Sequence, residues 1–312
     1  MRISSSLFTN NLLAQMNNLQ SQQTQLQGEV SSGLSVTLPE DNPGAMDQAL
    51  NLQSQASANT QYQNNITQLQ STATTAGDAM NNLQTIAEQA ADIATEANTD
   101  HTSTQLTAYA VQVGSLIQEA LQAANTQDTR GNYVFAGSIN NQPPFVAQTD
   151  SSGNVTSVSY KGNTDTPASQ IGPNLTVSAV TPGGNTTGSG PAGLLVDSSS
   201  GADLFSHLIS LQQDLISGNT ANITSTDSPN LTVDENSIVS GIAANGVVQA
   251  TLQSAATAAS QLGNSLTSQT SNLTGADMAT TLTNLDQVET SLQAAMQSGV
   301  MIMNLSIMDF LQ

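Results

Sequence analysis

Apolar residues recur at helical spacing at both ends of this chain, and that pattern constrains the fold more than any other feature. Near the start, Leu12, Met16, Leu19, Leu26 and Val30 follow three-, four- and seven-residue steps, with Gln23 as the polar break. Near the end, Met278, Leu282, Leu285, Leu292 and Met296 keep a similar rhythm. Such spacing lines up side chains along one stripe of a helix, as in a coiled-coil seam. A stripe needs a partner surface. The two ends, almost the full chain apart, are natural partners for each other and then for neighbouring copies. The pattern predicts a mainly α fold: a long antiparallel helical bundle or coiled coil formed by the N- and C-terminal regions, with a small inserted β-rich domain. It points to a polymer or ring subunit.

Between the stripes, Pro39-Glu40-Asp41-Asn42-Pro43 breaks the first helix, with Asn42 as the expected N-cap and Pro43 at the first helical position. Ile66, Leu69, Ala73, Ala76, Met80, Leu83, Ala87, Ala90, Ala94 and Ala97 then hold a three- and four-residue spacing. They predict one helix over about 43–98, roughly 80 Å long at 1.5 Å per residue. A turn at Asn98–His101 follows, and Thr102 with Gln105 forms a candidate capping box. Gly131 is expected to end the next helix, and Asn132–Gly137 reads as a short strand or hairpin arm. Residues 138–200 turn rich in Gly, Pro, Ser, Thr and Asn, which fits a small β-rich domain or a partly disordered insertion. Helix is expected again at about 203–217 and 237–274, with a loop over 219–236. Gly275-Ala276-Asp277 marks a hinge before the terminal stripe.

Composition removes several function classes. Lys and Arg total three, Arg2, Arg130 and Lys161, and the net charge is −20. Phosphate neutralisation needs clustered cations, so binding to nucleic acid or an anionic membrane is not expected. There is no Cys, hence no disulfide and no thiolate chemistry. The start, MRISSSLFTNNLLAQ, lacks a continuous apolar run, so no cleaved secretory signal is expected.

Candidate chemical sites weigh little. His101 and His207 have no helical His or Cys partner, so each reads as a turn or helix-face residue rather than a metal ligand. Asp234-Glu235 reads as solvated surface. Gly183-Gly184 lacks the strand, helix and Lys of a phosphate loop. The Asn-x-Ser/Thr triplets are what chance gives in such a chain. Met296, Met301, Met303 and Met308 form a sulfur-rich end suited to an adaptable contact surface. No enzyme, cofactor or metal is expected.

Several stretches resemble bacterial flagellar axial proteins. They are the Met-Arg-Ile-Ser start, Ser31-Ser32-Gly33-Leu34 with Pro39, Asp41 and Pro43, and Tyr62 with Asn64, Asn65 and Ile66. More specific are Asn125-Thr126, Asp128, Gly131–Gly137 with Pro143-Pro144-Phe145, and the closing Asn304–Leu311. Together these resemble the hook-associated protein 3 family, the hook–filament junction proteins. The resemblance covers about 1–145 and 278–312, is fainter over 203–277, and is absent over 146–200.

The resemblance implies a structural, extracellular subunit of the flagellum that joins the hook, through the first hook-associated protein, to flagellin. It implies a homo-oligomeric ring, type III export without a cleaved signal, and an export chaperone on the C-terminal helix. Residues 1–42 with 278–312 would form the inner coiled-coil tube. Residues 43–140 with 201–277 would form a helical rod, and 141–200 an outer β-rich domain. The expected assembly interface is Leu12, Met16, Leu19, Leu26 and Val30 with Leu282, Leu285, Leu292, Met296, Met303 and Phe310. Two alternatives stand beside this reading: flagellin itself, and a glycan-binding adhesin acting through the insertion. The insertion supplies only Phe145 and Tyr160 as aromatic rings.

Overall fold

The computed structural model describes residues 2–98, 101–151 and 153–310, and side-chain surroundings from residue 10 to residue 301 within them. Thr99 and Asp100 of the expected turn, and the side chains of Met303, Met308 and Phe310, lie outside the described residues. The chain falls into two compact units, Met1–Ala58 with Leu262–Gln312, and Asn59–Gln261.

Among the described residues, seven helices carry most of the chain: α1 (Arg2–Ser32), α2 (Pro43–Glu96), α3 (Ser103–Ala124), α4 (Leu204–Ser217), α5 (Thr220–Asn222), α6 (Ser228–Thr274) and α7 (Met278–Phe310). Local signals set many boundaries. The Asn42 side chain accepts the Ala45 N–H at 3.1 Å, capping α2. Thr102 and Gln105 form a reciprocal capping box at α3. Gly218 ends α4 in the left-handed conformation, at φ 72°.

The larger unit holds a fully buried core. Met80 and Leu83 of α2, Val113 and Ile117 of α3, and Leu204, Phe205, Leu208 and Leu211 of α4 belong to it. Each large apolar side chain taken out of water contributes roughly 1.5–3 kcal/mol. Phe145, Val155, Leu194 and Leu195 from the β region enter the same core.

Among its described residues, that region has seven short strands. β1 (Phe145–Thr149) pairs antiparallel with β2 (Val155–Tyr160), with a bulge between Gln148 and Thr149. β3 (Ser169–Gly172) pairs with β4 (Leu175–Val177). β5 (Gly184–Asn185) runs parallel to β6 (Val196–Asp197), which is antiparallel to β7 (Ala202–Asp203). Phe145 sits 5.1 Å from Tyr160 and 5.3 Å from Phe205, centroid to centroid. Gly183 and Gly184 let the backbone approach these rings. A Cβ would stand 2.7 Å from the Phe145 ring at Gly183 and 2.9 Å from the Tyr160 ring at Gly184. At α3's end, Asn125 exchanges two hydrogen bonds with the Phe145 backbone, at 2.8 and 3.0 Å, tying helix to strand.

Farther along α2 and α6 the seam changes character. A small core of Ile66, Leu69, Ala73, Leu252 and Ala259 is flanked by side-chain amides. Asn59 and Gln63 of α2 donate to the Ala259 carbonyl at 2.9 and 3.1 Å. Asn245 and Gln249 of α6 donate to the Ala73 carbonyl at 2.9 and 3.2 Å. Each pair is four residues apart, so both amides lie on one helix face. The two sets mirror each other along the antiparallel helices. Buried polar side chains of this kind fix the register of a helix pair better than Ala alone.

Three expectations need correction. Residues 219–236 are helical, not a loop: α5 leads into a π-helical turn, Ile223–Asp227, and then α6. Pro229 removes a backbone donor and crowds the carbonyl four residues earlier, and Ser228 N–H instead reaches back to the Ile223 carbonyl. Asn132–Gly137 is a chain of turns with one Gln127–Tyr133 bridge, because Val134, Phe135 and Ala136 are drawn into the core. Gly131 does not end α3; the helix stops at Ala124 with Asn125 as its cap.

Candidate assembly surface

In the smaller unit the two chain breaks pair with each other. Ser35 N–H donates to the Thr274 carbonyl at 2.7 Å and Ala276 N–H to the Gly33 carbonyl at 2.9 Å. Gly33 sits at φ +71°, which favours glycine. Asp277 then caps α7. Thr280, through its hydroxyl and N–H, and the Ala279 N–H hold that carboxyl below the usual carboxylate range. Asp41 serves the other break rather than the start of α2. It accepts the Leu38 and Thr37 N–H groups at 2.8 and 3.0 Å, which lower its pKa.

From this junction α1 and α7 run antiparallel. Leu34 bridges Gly275, Gln23 donates to Glu289 at 3.1 Å, and Leu12 lies over Gly299. Leu12, Met16, Leu19, Leu26 and Val30 are all half-buried along α1. On α7 the inward row is Thr281, Leu285, Val288, Leu292, Ala295 and Gly299, in alternating four- and three-residue steps. Leu19 and Leu26 with Val288 line an open cleft of about 430 Å³, edged by Gln22, Gln25, Asn284, Gln287 and Ser291.

The α7 residues singled out from sequence therefore divide. Leu285 and Leu292 lie in the seam. Leu282 (46% exposed) and Met296 (45% exposed) stand outside it with Met278 and Val300. These four sit roughly 80° round the helix from the seam, at 100° per residue. Sequence reasoning missed Val288, although its apolar side chain offered a hydrophobic signal, and also Thr281, Ala295 and Gly299, whose small or polar side chains carry none. Their use of the strict three-and-four step was the signal available. The outcome is two stripes on one helix, an inner one half-covered by α1 and an outer one left bare. Among the described residues of this unit, only Val36, Ala45, Leu266, Thr274 and Thr281 are buried.

The histidines stand apart from this surface. His101 Nε2 lies 2.8 Å from the Glu96 carbonyl and its ring meets Tyr109 edge-on. His207 contacts Asp234, which is buried rather than solvated as expected. Among the described residues no group of three or more His, Asp or Glu could hold a metal ion. Among them also, no helix is long and apolar enough to cross a membrane.

Residues 3–140 match the family described as bacterial flagellin N-terminal helical region. Among solved structures, a Vibrio parahaemolyticus chain named as a flagellar hook-associated protein is 18% identical. The match has a TM-score of 0.64 and covers 75% of this chain and 100% of that one. Flagellar hook-associated protein 3 from Legionella pneumophila is 14% identical with a TM-score of 0.59, over 71% of this chain and 98% of that one. A flagellar junction protein, FlgL, from the same organism is 14% identical with a TM-score of 0.52, over 66% and 99%. No curated protein matches the sequence. Residues 3–140 are thus similar to the bacterial flagellin N-terminal helical region, within a fold that this chain shares with solved structures of flagellar hook-associated proteins.

Proposed function

We propose that this chain is a structural subunit of the bacterial flagellum, a junction adapter that joins the hook, through the first hook-associated protein, to the flagellin filament. The observation that carries the reading is the α1/α7 pair. Its inner stripe is only half-buried by the chain itself and its outer stripe is bare. Narrow stripes of this kind gain most of their stability from packing against further surfaces. A ring of copies supplies them, with unlike surfaces meeting head-to-tail around the axis. The names of the matched structures support the junction role over the filament role.

The chain is exported before assembly, and a chaperone with an apolar groove covers α7 from about residue 292 inside the cell, as grooves receive amphipathic helices. No catalytic step belongs to this function. Electron microscopy of cells lacking the protein tests it. Bare hooks with flagellin shed into the medium are expected, whereas filaments attached as in the parent strain contradict the assignment.

A further inference from the structure

The N-cap Asp203 and one face of α4, with His207, Ser210 and Asp214, form a row in four-, three- and four-residue steps. This polar row packs against the π-turn and the first turns of α6. Asp234 is 1% exposed. It accepts the Asp203 N–H at 2.8 Å and lies 2.7 Å from His207 Nδ1. Asp227 is fully buried. Its Oδ1 accepts the Ser210 hydroxyl at 2.8 Å, and its Oδ2 has no donor. The group facing Asp227 from α4 is Asp214, whose oxygens already accept from Asn219 and Asn222.

The titratable groups of this packing are Asp203, the N-cap of α4, His207 and Asp214 from α4, Asp227 from the π-turn and Asp234 from α6. None of the groups facing these carboxyls is a Lys or Arg. A buried carboxylate oxygen without a donor, opposite a second carboxylate, is costly. A proton on Asp227 removes that cost, because its Oδ2–H can donate to Asp214.

We propose that this row is a proton-operated latch: with Asp227 protonated and His207 charged, residues 220–238 are held on α4, and loss of those protons loosens the segment. Loosening bares Ile223, Leu231 and Ile238, which the closed form buries completely.

The titrations agree in sign. Burial, then the Asp214 carboxylate, pushes Asp227 up to about 6 from 3.8. Burial also raises Asp234, and His207 opposes it only in part. Burial lowers His207, but Asp234, Asp203 and Asp227 outweigh it, so its pKa lies above 6.5. Each group binds its proton more tightly in the closed form. The His207 contribution is complete below 6.5 and is lost as pH rises through its folded value. For Asp227, the contribution is complete below 3.8 and is lost as pH rises from there to about 6. The latch is therefore tighter at pH 5 than at pH 8.

Amide hydrogen exchange on the full chain tests this, comparing wild type with Asp227→Asn at matched pH. The isosteric amide keeps the Ser210 bond and can donate to Asp214. At pH 8 it should slow exchange over 223–238 about tenfold, below the ~100-fold ceiling that two pKa units allow. At pH 5, between 3.8 and about 6, the difference should shrink to a few-fold, and amides of α3 should not change at either pH. Asp214→Asn, at a half-exposed position, should act in the same direction and serves if the first variant folds poorly. Equal exchange at pH 8, or slowing of the same size at both pH values, overturns the latch.

Discussion

The two units of this chain use the same helical vocabulary to opposite ends. In α3 and α4 the inward positions are covered almost completely, from Leu106 and Val113 through Phe205 and Leu215. In α1 every described side chain from Asn10 to Ser32 is half-buried or exposed, although its Leu and Met spacing is just as regular. The difference lies in the number of neighbours. The α3/α4 seam is closed by α2, α6 and the β region, whereas α1 meets α7 alone within its unit. A regular stripe thus reports that a helix has a partner, not that the partner belongs to the same molecule.

The largest expected effect that can break this comparison is in amide exchange of the monomer. Local stability follows buried apolar contact. Amides over 10–30 and 285–301 should exchange several orders of magnitude faster than those over 106–124, and limited proteolysis should trim both ends to a resistant centre. Uniform protection along the chain would mean that the α1/α7 pair is complete without other copies.

Side-chain deletion sharpens the contrast. Phe205→Ala empties a ring site between Phe145 and the helices, at 1% exposure. It should cost about 3–5 kcal/mol in denaturant unfolding of the larger unit. Leu285→Ala removes a half-buried residue of the terminal seam. In the monomer it should cost less, about 1–2 kcal/mol, since part of its apolar surface stays wet. Comparable losses at the two positions would erase the distinction.

What was legible in the sequence follows the same division. The caps at Asn42 and Thr102 could be read directly because each depends on a few adjacent residues. The mainly α class was legible from periodicity. The phase of α7 was only half legible. Leu285 and Leu292 serve the inner seam, but Leu282 and Met296 belong to the bare shoulder, and hydrophobicity alone cannot tell one stripe from the next. The amide clamps of Asn59, Gln63, Asn245 and Gln249 were hidden because Asn and Gln read as solvated. They are useful only when a facing carbonyl comes within hydrogen-bond reach. The helix over 219–236 was masked by Pro229 and a run of Ser, Thr and Asn, whose low propensity is outweighed by burial of Ile223 and Leu231. The His207–Asp234 contact spans 27 residues, and no local pattern announces it.

The central claim is that the bare shoulder of α7 is finished by other subunits. Leu282→Asp tests it most directly, because Leu282 is 46% exposed and lies outside the α1/α7 seam. A carboxylate there leaves the isolated chain undisturbed but is expensive once buried without a partner. Ser157→Asp, on the exposed face of β2, is the control. The readouts are circular dichroism of the purified monomer and filament attachment on cells carrying each variant. The account predicts an unchanged monomer for both, attached filaments with Ser157→Asp, and their loss with Leu282→Asp. Attached filaments with Leu282→Asp would contradict it.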